Sequence, residues 1–381
     1  MQADFHYYAT YAAAFLAGFE HEECLKIAYS AQFVDLCSKT LLGKIKAPLR
    51  AATTQLQLEM MDMRTDLIGL MDITRIWSAF HFLPHDLNVK PKGKSKLYRD
   101  KYSLMCNTNG ELLTKTVELA KSGPSDGFNL EGIGIAMHVL ADTWAHRYFA
   151  GTPSYVINNT DDEFYEIIND DMKKINFVHI PGIADDLEKM RFSNSIQQRK
   201  ESTIMNLGHG RAGHLPDYSY ITYKYVPAWK NYETITKNNP EDYYKAFCQM
   251  IYAMKYIRGD ISKFETDKYA YDTVEPYREE IEGILKKRQL IASDDWKAFS
   301  EKLSGKEVPD WKLPTYEDEY CLAPKDNKND TLIGRFIVAS LKHKQMVTEE
   351  IFASGNMLAG IPFSLLFKTK RIKKRLKEDS K

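Results

Sequence analysis

The run Met137-His138-Val139-Leu140-Ala141-Asp142-Thr143-Trp144-Ala145-His146 constrains the fold most, because it reads His-x3-Asp-x3-His inside an otherwise apolar helical stretch. A helix turns about 100° per residue, so side chains four and eight apart fall within roughly 80° of one another on one face. His138, Asp142 and His146 are therefore expected to point the same way, with Leu140, Ala141, Trp144 and Ala145 around them. Imidazoles and a carboxylate buried by such neighbours are costly unless they are paired or bound to a metal. The candidates are a core hydrogen-bond network and a metal site, and the donor set favours the metal.

Other stretches add donors of the same kind. His6 falls in the first turn of a helical pattern over residues 4–18. Asp35 falls near the C-terminal end of a second, over 20–38, where an acid opposes the helix dipole and calls for a nearby cation. His81 sits with His85 on the aromatic run Trp77–His85, stopped by Pro84. The stretch Asn206–Asp217 holds three glycines, His209, His214 and Asp217, a poor helix interior and a plausible ligand-bearing loop. With Arg211 the same loop could instead be an anion-binding nest.

Helical periodicity recurs over 109–121, from Asn129 through the central run, and over 241–257, 276–290, 294–303 and 331–354. Gly132 and Gly134 would let another helix approach the central one closely. Residues 155–203, charged and mixed, are expected to be a loop with short helices. The fold class expected is therefore mainly all-α: a metal-binding helical core over 1–260, a helical C-terminal extension over 261–367, and a basic, disordered tail over 368–381 that could touch an anionic surface.

With 381 residues and 44% of them hydrophobic, the chain can bury a core without disulfide staples. Formal net charge is zero, so no global field recruits nucleic acid or anionic lipid, and such binding needs a local patch. The five cysteines, Cys24, Cys37, Cys106, Cys248 and Cys321, are widely spaced with no Cys-x2-Cys pair, which fits a reducing compartment. Neither a secretory signal nor a membrane-spanning stretch is evident; the nearest, Met357–Phe367, is interrupted by Gly360 and Pro362. A cytoplasmic location is expected.

The order His6, Asp35, His81, His138-x3-Asp142-x3-His146, His209, His214, Asp217 resembles the helical superfamily of zinc-dependent phospholipase C and the single-strand-specific fungal nucleases. The strings Asp4-Phe5-His6-Tyr7, Phe80-His81-Phe82-Leu83-Pro84, His138 to His146 with Phe149 and Gly151, and Gly208-His209-Gly210 more closely resemble a bacterial family built on that pattern, across roughly residues 1–260. The resemblance implies as many as three zinc ions that hydrolyse phosphodiesters. It implies that Asp142 bridges two of them, with Asp35, His81 and His138 at one and His6 at the second. The third would take His146, His209 and either His214 or Asp217. Superfamily chains often begin at a tryptophan whose amine and carbonyl bind zinc; here the chain reads Met1-Gln2-Ala3, which leaves either Asp4 as a substitute oxygen ligand or no second zinc.

Zinc lowers the pKa of water from about 16 to near 7, and a close cluster can clamp the attacking and leaving oxygens of a phosphodiester. Arg211 or Arg147 would stabilise charge developing on the phosphate. No Ser-His-Asp order, phosphate-cradling Gly-x4-Gly-Lys or dinucleotide fingerprint competes. The expected function is zinc-dependent phosphoester hydrolysis, of phospholipid, nucleic acid or nucleotide, with Tyr7, Tyr8, Trp144 and Tyr148 fitting an apolar rim or a stacking surface. The alternative is a non-catalytic, metal-stabilised scaffold.

Overall fold

A computed structural model describes residues 1–56, 67–87, 104–123, 127, 129–154, 157–161, 163–178, 184–194, 207–230 and 233–359. A π-helical turn (Asp4–Ala9) runs into α1 (Thr10–Leu16), followed by α2 (His21–Phe33), α3 (Lys39–Lys44), α4 (Leu67–Phe80), α5 (Glu111–Lys121) and the central α6 (Leu130–Ala145). After the strands come α7 (Asn239–Arg258), α8 (Tyr271–Val274), α9 (Arg278–Lys286), α10 (Ser293–Ser304), α11 (Glu317–Leu322) and α12 (Leu332–Ala353).

The central helix starts where Asn129 accepts a hydrogen bond from the Gly132 amide at 3.1 Å, an N-cap readable in the sequence. Gly134 provides the close approach expected of it: a Cβ there would lie 2.4 Å from the Ile27 carbonyl oxygen of α2. Gly132 instead faces its own cap, Asn129. With α2 drawn in at Gly134, the next turn of α6 sets His138 against the Ala31 carbonyl.

The expectation of an all-α chain is overturned. β1 (Tyr165–Ile168), β2 (Asp171–Lys174), β5 (Thr222–Tyr225) and β6 (Ile235–Asn238) form an antiparallel sheet in the order β2-β1-β5-β6, and β3 (Asn176–Val178) pairs in parallel with β4 (Arg191–Ser193). Much of this lies where a loop with short helices was expected. Strands of three or four residues are too short for period-two alternation to stand out, and β2 is fully exposed and charged. The signal that was there is the aromatic and β-branched alternation of Thr222-Tyr223-Lys224-Tyr225, whose two tyrosines are buried on one face.

One hydrophobic core joins Met1 to Ala359, so residues 261–359 pack in the same interior as the first 260. Phe5 lies edge-on to Trp296 of α10, Tyr29 stacks on Trp311, and Phe33 packs against Phe336 of α12. A second core of Phe82, Phe149, Phe164, Phe192 and the β5 tyrosines fills the space beneath the sheet. Cys24, Cys37, Cys106 and Cys248 are buried free thiols, and Cys321 is exposed. Among the described residues no helix is long and apolar enough to cross a membrane. The basic stretch 368–381 lies outside the described residues.

Candidate metal centre

The central helix contributes His138 and Asp142 from successive turns, and His146 occupies its C-cap, its amide still bonded to the Asp142 carbonyl at 2.8 Å. Asp142 is 1% exposed, and its two oxygens face different neighbours. Oδ2 lies 3.1 Å from His138 Nε2 and 3.3 Å from His81 Nδ1. Oδ1 lies 3.2 Å from His6 Nε2 and 3.0 Å from the Met1 amine. Asp35, just past α2, completes this side, with Oδ1 3.8 Å from His81 Nδ1 and 3.9 Å from His138 Nε2.

A second lobe forms around Asp217. Its Oδ1 is 3.1 Å from His146 Nε2 and from the Met1 amine, and its Oδ2 is 3.7 Å from His209 Nε2. Gly208 carries φ +54, and a Cβ there would sit 2.3 Å from the Phe82 ring, so glycine lets the loop fold down on that ring and present His209. Phe82 in turn stacks on His146 at 4.7 Å. Asn239, fully buried at the start of α7, donates to the Leu215 and Tyr218 carbonyls, and Tyr243 donates to the Pro216 carbonyl; together they fix the turn that bears Asp217.

The backbone sets the protonation pattern. A carbonyl oxygen only accepts, so each imidazole nitrogen facing one must carry the hydrogen. His138 Nδ1 faces the Ala31 oxygen at 2.9 Å, His146 Nδ1 that of His81 at 2.7 Å, and His209 Nδ1 that of Gly213 at 2.7 Å. His81 Nε2 faces the Thr54 oxygen at 2.9 Å. In each neutral ring the opposite nitrogen then presents a lone pair to the cluster. His138 Nε2 and His81 Nδ1 are only 3.3 Å apart, so two lone pairs and Asp142 Oδ2 converge with no hydrogen of their own to share. His6 is fully buried and stacked on His138 at 3.8 Å; its Nε2 lies 3.2 Å from Asp142 Oδ1, and its Nδ1 has no hydrogen-bond partner. Orphaned buried imidazole nitrogens and unshielded lone pairs are the features a bound cation resolves.

Electrostatics agree. Burial opposes ionisation of Asp142, but His146, the Met1 amine, His138 and His6 outweigh it and hold the carboxyl well below its usual range. Burial likewise opposes charge on Asp217, which the same amine, His209 and His146 reverse. The amine is pushed up to about 11: burial works against its charge, and Asp142, Asp217 and Asp35 prevail. Burial lowers His6 and His209 to about 4.

Among the described residues, three groups of donors are close enough to share an ion: His6, Asp35 and His138; His81, His138 and Asp142; and His146, His209 and Asp217, with ligand atoms in each within 4.8 Å of one another. His214 stands beside the last group, with Nδ1 3.2 Å from Asp217 Oδ2 and its side chain 55% exposed. The arginines expected to assist turn elsewhere. Arg211 Nη1 reaches the Thr160 carbonyl at 3.4 Å, and Arg147 pairs with Asp242 at 2.8 Å. Asp4 accepts from the amides of Phe5 and Ala292 at 2.8 Å each, so its carboxylate is committed to capping α10. Tyr7, Tyr8 and Trp144 are buried, with their polar atoms on Pro309, Asp310 and Gln249, so they offer no stacking surface. Not foreseen were the four carbonyls, Asn239, and Lys237, whose buried ammonium donates to the Trp144 carbonyl at 2.7 Å and pairs with Asp242 at 2.8 Å. Only the Asn238-Asn239-Pro240 helix-start signal was visible in the sequence.

The model of a family of unknown function, DUF6765, matches residues 1–351, and the chain belongs to that family. No curated protein and no solved structure matches it.

Proposed function

We propose that this chain is a zinc-dependent phosphoester hydrolase with a multinuclear centre. The observation that carries the reading is the set of imidazole nitrogens, fixed as lone-pair donors by backbone carbonyls, that converge with Asp35, Asp142 and Asp217. Nitrogen and carboxylate donors without thiolate suit zinc. His6, Asp35 and His138, then His81, His138 and Asp142, then His146, His209 and Asp217 would hold the ions, with Asp142 offering one oxygen to each of two neighbours. Zinc, when bound, supplies Lewis acidity and brings water's pKa near 7.

The chain's own residues do the rest. Asp142 fixes the separation of the two sides, and the carbonyls of Ala31, Thr54, His81 and Gly213 hold each ring in one orientation. Asp35, with a quarter of its side chain exposed, and His214 mark where a substrate reaches the centre. A metal-stabilised scaffold is the second reading, favoured by the complete burial of His6 and His138.

Elemental analysis of protein purified without added metal, paired with hydrolysis of bis-p-nitrophenyl phosphate, tests both. Two or three zinc ions per chain with turnover are expected. Bound zinc without turnover would leave the scaffold, and absence of metal would defeat both readings.

A further inference from the structure

The metal centre has a loop standing on it. The loop's feet are tied together: Ser38 bridges to Gln55, the Thr54 amide donates to the Cys37 carbonyl at 3.0 Å, and the Thr54 hydroxyl donates to the Val34 carbonyl at 2.6 Å. Both feet are also part of the centre. Asp35 lies just before the first, and the Thr54 carbonyl receives His81 Nε2 at 2.9 Å.

Between the feet, α3 buries Leu41, Leu42 and Ile45 in the core, and the chain then turns outward through Lys46 at φ +53. At the tip Leu49 is fully exposed, at 109% of its reference area, between Pro48 and Arg50. One exposed leucine is ordinary. Here exposed Lys46 and Arg50 flank it in the chain, and exposed Lys39 and a second exposed leucine, Leu36, lie at the loop's foot. The stretch 36–56 contains no acidic residue, and among the described residues Lys44 alone of its cations is paired, with Glu317 at 3.2 Å. An apolar tip within a local positive patch, on a chain of zero net charge, combines the two interactions that hold a protein on an anionic bilayer. A nucleic-acid surface fits less well, because residues 36–56 include no aromatic side chain on which a base could stack.

We propose that the Ser38–Gln55 loop docks this protein on an anionic bilayer, with Leu49 entering the headgroup boundary and Lys39, Lys46 and Arg50 against acidic headgroups. Docking in this way turns the Asp35 side of the metal centre toward the membrane. That consequence for catalysis rests on the hydrolase reading, while the docking itself does not.

The test is co-sedimentation of the full chain with vesicles of phosphatidylcholine alone or mixed with phosphatidylglycerol. Binding is expected only to the mixed vesicles and should weaken as salt is raised. Leu49→Ser should weaken it about tenfold, and Lys46→Gln or Arg50→Gln about fivefold each. Met172→Ser, which removes an exposed apolar side chain on β2, should leave binding unchanged. The proposal is overturned if the parent protein stays in solution with anionic vesicles, or if the loop variants sediment as well as the parent. Loop-dependent binding to single-stranded polynucleotide without vesicle binding would overturn it too. None of these readouts involves turnover, so a failure here is separable from a failure of the hydrolase reading.

Discussion

At the scale of single residues, Asp142 is the hinge of the centre, because its two oxygens serve different neighbours. Asp142→Asn is expected to lose the ions beside His6 and His81 and to retain the one beside His146, His209 and Asp217. Hydrolysis should fall by more than the about 10- to 100-fold that loss of an outer partner costs; metal counting on the variant decides it, and full metal content would defeat the bridging role. Protons compete for the same donors. Burial holds His6, His209 and also His343 at about 4, against an ordinary 6.5, so each contributes stability that is complete above pH 6.5 and lost as the pH falls toward 4. His81 and His214 lean the other way: despite burial, His81 is raised through Asp142, and Asp217 raises His214. With three rings lowered and two raised, the metal-free protein should lose stability in acid, by on the order of 2 kcal/mol per lowered ring between pH 6.5 and 5. Urea midpoints across that range would show it, and an unchanged midpoint would contradict it. The donors were legible in the sequence because histidine and aspartate stand out at helical spacing. The carbonyls that orient them carry no side-chain signature and emerge only from packing.

At the scale of elements, the pairing of α2 with α6 at Gly134 decides whether His138 can reach the Ala31 carbonyl. Gly134→Ala would press a methyl group onto the Ile27 carbonyl, and about 1–3 kcal/mol of destabilisation is expected from urea unfolding. Weaker metal retention against a chelator should accompany it, whereas Gly43→Ala, in a helix with open space around it, should not destabilise the chain. The long helices could be read from periodicity and caps: Asn129 and Asn238 each mark a start, and Gly259 at φ +93 marks an end. The strands could not, because at three or four residues their placement depends on the aromatic core they cover. Lys237 shows the same limit. Its neighbours Thr236 and Asn238 are exposed as alternation on a strand requires, but nothing local says that a lysine should be the residue turned inward.

At the scale of the whole molecule, residues of the C-terminal third pack around the turn that carries His6. Asp4 caps α10, Ser300 donates to the Tyr8 carbonyl at 3.1 Å, and Tyr7 donates to the Pro309 carbonyl at 3.0 Å, all around the turn that carries His6. A chain stopped after residue 260 would leave Phe5, Tyr29 and Phe33 without Trp296, Trp311 and Phe336. It is expected to lose fixed tertiary structure, seen as a collapsed near-UV circular dichroism signal, and with it the ion beside His6; a native-like spectrum with full metal content would refute this.

The clamp on the His6 turn also sets a timetable. During synthesis His6 precedes every other donor, Asp217 completes the set, and α10 and Pro309 follow Asp217 in the chain. The turn is seated only after α10 and Pro309 have left the ribosome, because domains close from contacts the nascent chain must first contain. An ion that needs His6 as a ligand would therefore be taken up only after α10 and Pro309 have been made, and not as soon as the last donor, Asp217, is present.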